Sequence, residues 1–217
     1  MSEIKKKELW SIRARREVND IIEKIKELPF IKGMMDGTLP LESFGKYIGQ
    51  DIFYCEEYSI SLKILSERFK DHSEDYEKTF DTFSNKCTAL IPILQEEYIK
   101  KFNLKEEKKK SKICENYINF EREYSKNKSL EEGLASLLAC FWVYDEIGRY
   151  MYANQIQGKN IYKIWMDDYA NGPSKSLEKY LKICNDIAEK NPNYDEKMIQ
   201  TYRMAVQFEY DFWDDCF

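Results

Sequence analysis

The chain has 217 residues, of which 43% are hydrophobic, 15% aromatic and 34% charged, and it carries a net charge of -5. That composition can fill a sizeable core, which excludes an intrinsically disordered chain, and the absence of a basic stripe excludes the electrostatic footprint of a nucleic-acid binder. No Pro/Gly/Ser-rich linker divides the sequence, no apolar run is long enough to cross a bilayer and no signal-peptide core follows Met1, so a single cytoplasmic domain spanning residues 1–217 is expected, with no membrane partner.

Glycine and proline are sparse, at 8 and 5, and apolar residues recur at three-to-four spacing, which predicts an all-α chain. The first helix is expected from about Ile4 to Leu28, ending before Pro29, with Trp10, Ile12, Val18, Ile21, Ile22 and Ile25 on its apolar stripe. Asp36-Gly37-Thr38-Leu39-Pro40 reads as a turn. Pro40, whose missing N–H costs nothing in a first helical turn, opens a second helix of roughly 25 residues through Phe44, Tyr47, Asp51 and Tyr54. A third is expected from Ser73 to near Phe102, with Pro92 kinking it or marking a boundary.

The cationic run from Lys105 to Lys112, mixed with Glu106 and Glu107, reads as a solvated connection to a fourth helix through Tyr117 and Phe120. Ser129-Leu130-Glu131-Glu132 is a capping box that opens an apolar helix from Leu130 past Tyr152. A short helix around Ile161 to Tyr169 ends at Asn171-Gly172-Pro173, and another leads from Ser174 to Lys190. Asn193-Tyr194-Asp195-Glu196 caps a last helix that reaches Trp213.

Six cysteines (Cys55, Cys87, Cys114, Cys140, Cys184 and Cys216) are scattered without a Cys-x-x-Cys pair and read as mostly small, reduced core residues. The single histidine, His72, sits in a polar stretch and reads as an exposed loop residue. One histidine excludes His-rich zinc sites and paired Glu-x-x-His di-iron bundles, so no metal or other cofactor is expected.

Four aromatic-rich segments each present a reactive or ionisable group: 50–54 with Asp51, 138–144 with Cys140, 165–169 with Asp167 and Asp168, and 208–213 with Glu209. Cys140 and Tyr144, four residues apart, share a helix face. An inert core cysteine and a nucleophile both fit Cys140. Asp51 is either an exposed acid or, among Tyr47, Phe53, Tyr54 and Tyr58, a paired or functional one. Glu209, with Phe212 at i+3, points either outward or into a core where its pKa would rise. Together one thiol, two carboxylates and several phenols suit a pocket for a flat, nitrogen-rich ring: rings to stack, carboxylates to read N–H edges and a thiol to attack.

At these residues the chain resembles the TenA/thiaminase II family. The resemblance covers most of the chain and is carried by 36–40 followed by 47–54, by 137–148, by 161–165 with Tyr169, and by 208–213. It implies an all-α, heme-oxygenase-like helical bundle, a homotetramer, and aminopyrimidine aminohydrolase activity on 4-amino-5-aminomethyl-2-methylpyrimidine, with slower cleavage of thiamine, in thiamine salvage. It implies that Cys140 adds to the pyrimidine, that Glu209 shuttles the proton and that Asp51 binds the amidine edge. Tyr54 and Phe212 match ring-stacking positions, and Tyr117, Tyr144 and Tyr169 match hydrogen-bonding phenols. Ala139 stands where proline is common, and Phe141 and Asp145 where tyrosines are common, while Glu56 and Glu57 add acidic charge just after Tyr54.

Other functions compete. A heme oxygenase would need an axial histidine on the first helix, which residues 4–27 lack. A non-catalytic pyrimidine-binding or regulatory protein on the same scaffold would need neither Cys140 nor Glu209.

Overall fold

The apolar stripes do form helices, but in shorter pieces than their lengths imply. The computed structural model describes residues 8–217, so the expected helical start at Ile4 lies outside the described residues. The expected first helix is two, α1 (Trp10–Glu17) and α2 (Asn19–Glu27). Val18, at φ -108° and ψ 4°, separates them. Arg203 holds the joint from outside, donating to the Glu17 carbonyl and forking onto both Asp20 oxygens at 2.7 Å. The break lets Trp10 and Ala14 on one piece and Ile21, Ile22 and Ile25 on the other all reach the core.

Pro29 does not only end a helix; it opens α3 (Pro29–Asp36) at a first-turn position where its missing N–H is harmless. Gly37 closes α3 at φ 70°, a left-handed geometry that favours glycine, and the Thr38 N–H donates to the Gly33 carbonyl at 2.9 Å. Pro40 stands just before α4 (Leu41–Phe69) rather than inside its first turn. His72 is exposed in the turn that follows.

In α5 (Glu74–Leu94) the Ser73 hydroxyl oxygen accepts the Tyr76 N–H, and the helix continues through Pro92 into a π-helical stretch, Gln95–Lys100. Proline lacks the N–H that a regular turn needs, so a local change of winding near Pro92 is the expected response. Asn103, at φ 50°, stops the run short of the connection to α6 (Lys112–Asn127).

The expected helix after the capping box is also two, α7 (Leu130–Ser136) and α8 (Leu138–Asn154). Only half of the box forms: the Ser129 oxygen accepts the Glu132 N–H at 3.1 Å, while the Glu132 carboxylate accepts from the serine hydroxyl at 2.8 Å. At the α7–α8 joint the Tyr58 hydroxyl donates to the Leu137 carbonyl and the Tyr180 hydroxyl to the Leu134 carbonyl. Helices α9 (Lys163–Asp167) and α10 (Lys175–Lys190) follow, and Ser174 caps α10 by accepting the Leu177 N–H. A 3-10 turn, Pro192–Tyr194, leads into α11 (Asp195–Asp215), and no side chain caps it, so the capping role expected of residues 193–196 is replaced by that turn.

Among the described residues all regular structure is helical. The long α4 lies against α5 and α6, and α11 runs across α7, α8, α6 and α2, so one continuous core joins them. Burying a large apolar side chain there stabilises by about 1.5–3 kcal/mol. Asp51, Glu121 and Glu209, buried in the same core, run against that rule and need a reason.

Candidate active site

Between α4, α5, α8 and α9 lies a cavity of about 360 Å³. Helix α4 contributes Tyr47 and Asp51, α8 contributes Cys140 and Tyr144, and Trp165 and Tyr169 close the side formed by α9 and the turn after it. The far wall is α5, with Phe83 and Cys87. Tyr169 fits there because α8 has Gly148 opposite: a Cβ at that position would stand 2.4 Å from the Tyr169 ring. The aromatic walls suit a flat ring, and Asp51 and Cys140, which share the lining with Lys86 and Asp168, offer it chemically unlike groups.

Asp51 is 8% exposed, and the hydrogen bond drawn to it among the described residues is a long one, 3.9 Å from the Cys55 thiol. Burial alone pushes its carboxyl up to about 7. A carboxyl this poorly solvated gains strongly from a ligand that brings N–H donors.

The break at Leu137 sets Cys140 in the first turn of α8, where the positive end of the helix dipole favours a thiolate. Burial acts more strongly in the other direction. It pushes the Cys140 thiol well above its ordinary range, with Glu209 adding to the rise and the Tyr54 hydroxyl opposing it. All six cysteines are free thiols, and only Cys140 and Cys87 are partly accessible.

Beneath the cavity, rather than in its wall, lie Tyr54, Tyr117, Glu209 and Phe212. Tyr54 stacks on Tyr58 with ring centres 5.1 Å apart and meets Phe212 at 6.0 Å. Glu209 is 1% exposed and accepts the Tyr117 hydroxyl at 2.7 Å. Burial pushes it up to about 8 against the pull of that hydrogen bond. The sequence-derived candidates thus divide: Asp51, Cys140, Tyr144 and Tyr169 face the cavity, and the other four form the layer that supports it.

The structure also accounts for departures noted in the sequence. Asp145 is buried and bridges two elements, accepting from Arg149 at 2.9 Å and from the Ser174 N–H at 2.9 Å. Glu57 faces away from the cavity to pair with Lys110 and Arg122. Glu146, next to Asp145, is held by a two-pronged Arg15 at 2.7 and 2.6 Å. Sequence reasoning missed the α5 wall, which only packing brings to the site, and it missed Glu121. The i,i+4 spacing of Tyr117 and Glu121 on a buried stripe was the available signal for the latter.

The TENA/THI-4/PQQC family description matches residues 15–216. The chain is 29% identical over 199 residues to a thiamine biosynthesis multifunctional protein of Corynebacterium efficiens, an overlap of 90% of this chain and 26% of that protein. The chain therefore spans about a quarter of that relative's length. It is 25% identical over 196 residues to an aminopyrimidine aminohydrolase of Bacillus subtilis, covering 85% of this chain and 80% of that one. A TenA homologue from Pyrococcus furiosus has the same fold, with a TM-score of 0.85 at 17% identity over 96% of this chain and 100% of that one. A domain with a heme oxygenase-like fold from Shewanella denitrificans gives a TM-score of 0.71 at 12% identity, covering 95% and 91%. The all-α bundle is thus heme-oxygenase-like.

Proposed function

Because the chain belongs to the TENA/THI-4/PQQC family, we propose that it is a thiaminase II-type hydrolase, an aminopyrimidine aminohydrolase that replaces the aminomethyl amine of 4-amino-5-aminomethyl-2-methylpyrimidine with hydroxyl and cleaves thiamine. The observation that carries this reading is the shared cavity of Asp51 and Cys140, with Glu209 buried just beneath. The B. subtilis relative, named for this activity, supports it.

Asp51 accepts the N–H edge of the aminopyrimidine, and Tyr144 and Tyr169 bound the ring. The Cys140 thiol adds across a ring C=N bond, sulfur to carbon and its proton to nitrogen, so the pyrimidine loses its aromaticity, and the electron pair of that nitrogen then expels the amine from the exocyclic carbon. Glu209 gives that amine its proton. Water then adds at the exocyclic carbon and gives a proton back to Glu209, and the sulfur leaves with the ring N–H proton as the ring regains aromaticity. The balance is one water consumed and one amine released.

The same proposal includes a cytoplasmic homotetramer of single-domain chains. Among the described residues no helix is long and apolar enough to cross a membrane. Purified protein incubated with the aminomethylpyrimidine and, separately, with thiamine should yield the hydroxymethyl product from both, faster from the first. Saturable binding of both without turnover would replace the enzyme by a pyrimidine-binding protein.

A further inference from the structure

Asp51 and Cys140 hold a pyrimidine at the buried end of the cavity and leave its outer part to whatever the exocyclic carbon carries. At about 360 Å³ the volume lies in the range of sites for drug-sized ligands, about 300–1,000 Å³, and exceeds what one small ring fills. Exposure marks the depth: Asp51 is 8% exposed, whereas Leu90 and Ile93, which line the same cavity, are 39% and 51% exposed and form its rim. Two charged side chains stand in that exposed part, Asp168 and Lys86.

They differ in what holds them. Asp168 directly follows α9, three residues after Trp165, so the two share a face and both line the cavity. Its neighbour Asp167 is turned to Lys163, with which it pairs at 2.5 Å. The Asp168 carboxylate has no hydrogen bond or ion pair among the described residues. Lys86, on α5, donates to the Ser176 hydroxyl of α10 at 3.2 Å, and no ion pair joins it to Asp168. The outer cavity therefore keeps an unpaired carboxylate on its α9 side.

The walls beside Asp168 are aromatic. Trp165 and Tyr169 meet with ring centres 5.0 Å apart and 40° between planes, and Tyr98, 5% exposed, lines the cavity too. Aromatic faces beside a carboxylate suit a cation that has no N–H to donate, because charge and ring quadrupole both attract it without hydrogen bonds. The thiazolium of thiamine is such a cation, since its ring nitrogen is fully substituted and permanently positive. The hydroxymethyl product carries no charge at that place.

We propose that Asp168 is a specificity-determining residue that receives the permanently charged azolium substituent of thiamine-like substrates in the outer cavity, an inference that rests on the pyrimidine site proposed above. As the exocyclic C–N bond breaks, its electron pair passes to the azolium nitrogen and the azole leaves neutral. Asp168 thus stabilises the bound substrate more than the transition state, in which this charge is already fading, and it lowers KM without speeding cleavage. Lys86, on the α5 side, acts on the azolium with the opposite sign. The neutral product is left to Asp51.

Asp168→Asn tests the subsite, since it removes the charge, keeps the shape and breaks no side-chain bond of the fold. The expected result is a KM for thiamine raised about three- to fivefold with kcat no lower, the size of a partly solvated charge pair. In a Cys140→Ser background, which slows consumption of thiamine, calorimetric titration should show the same loss of thiamine affinity, shrinking with added salt. Affinity for the hydroxymethyl product should stay unchanged. Lys86→Gln should tighten thiamine binding by a smaller factor.

Equal loss of both ligands in Asp168→Asn, or no loss of thiamine, would overturn the inference. So would changes of the same sign in the two variants, the mark of a disturbed wall rather than of a charge. The titrations need no turnover, so an inactive wild-type protein would sink the proposed reaction and still leave the charge selection measured. Turnover of the aminomethylpyrimidine by a protein that does not bind thiamine would overturn the Asp168 role alone.

Discussion

The Tyr117 hydroxyl donates to Glu209 Oε1 at 2.7 Å inside a layer where both side chains are buried. Phe208 stacks flat on the Tyr117 ring, with centres 5.2 Å apart and 6° between planes, so the phenol is held at this carboxyl. Burial and the nearby Asp51 raise the Glu209 carboxyl while the phenol restrains it, and the outcome is a group near 8 that can give and take protons around neutrality.

Glu209→Gln should therefore collapse turnover by about 10²- to 10⁴-fold while retaining part of the affinity for the hydroxymethyl product. A group that must be protonated to serve the leaving amine gives a rate that falls as pH rises through about 8, and the variant should lack that limb. Full activity with an unchanged pH profile would remove Glu209 from the reaction. Glu146 could not readily replace it, being engaged by Arg15.

Cys140→Ser should fold normally, since the exchange is small and the site partly open to the cavity, and should lose at least about two orders of magnitude in turnover because a hydroxyl is far harder to ionise than a thiol. Steady-state kinetics beside a melting curve decide it. Wild-type-like turnover from the folded variant would end the nucleophile assignment.

Asp51→Asn should weaken pyrimidine binding and stabilise the empty protein at alkaline pH. The folded-state pKa of about 7 stands above the 3.8 of an ordinary aspartate, so the folded protein holds this proton more tightly than the unfolded chain does. That contribution to stability is complete below about pH 4 and is lost as pH rises to about 7; Glu209 acts with the same sign up to about 8. At pH 8 the variant should melt a few degrees above wild type, with a flatter dependence on pH. Thermal melts across pH, paired with calorimetric titration of the hydroxymethyl product, measure both effects. An identical pH slope and unchanged affinity would make Asp51 a bystander.

Gly148→Ala should act through Tyr169. The added Cβ would meet the ring at 2.4 Å, so the ring must leave its place in the cavity wall. Overpacking of this kind costs about 1–3 kcal/mol. A KM raised several-fold, with a smaller change in kcat and a lower Tm, is expected. Wild-type KM in this variant would show that Tyr169 does not bound the substrate.

The periodicity of apolar residues and the turn chemistry determined by themselves that the chain is helical, where α4, α6 and α10 lie, and which aromatic segments carry ionisable groups. Local signals of this kind depend on spacings of a few residues, and they survive into the structure because no tertiary contact opposes them. The same stripes concealed the breaks at Val18 and Leu137, because a single amphipathic pattern fits two helices as well as one. Those joints depend on partners remote in sequence: Arg203 at one, Tyr58 and Tyr180 at the other.

For the site, the chemistry of Asp51, Cys140 and Glu209 was legible as residue types in aromatic surroundings, but their division into cavity wall and supporting layer was not. Which of two helix faces is buried, and whether α5 closes the far side, follow from how α4, α5, α8 and α11 pack. The raised carboxyls are likewise a tertiary property, since desolvation depends on what covers a group from every side and not on its neighbours in the chain.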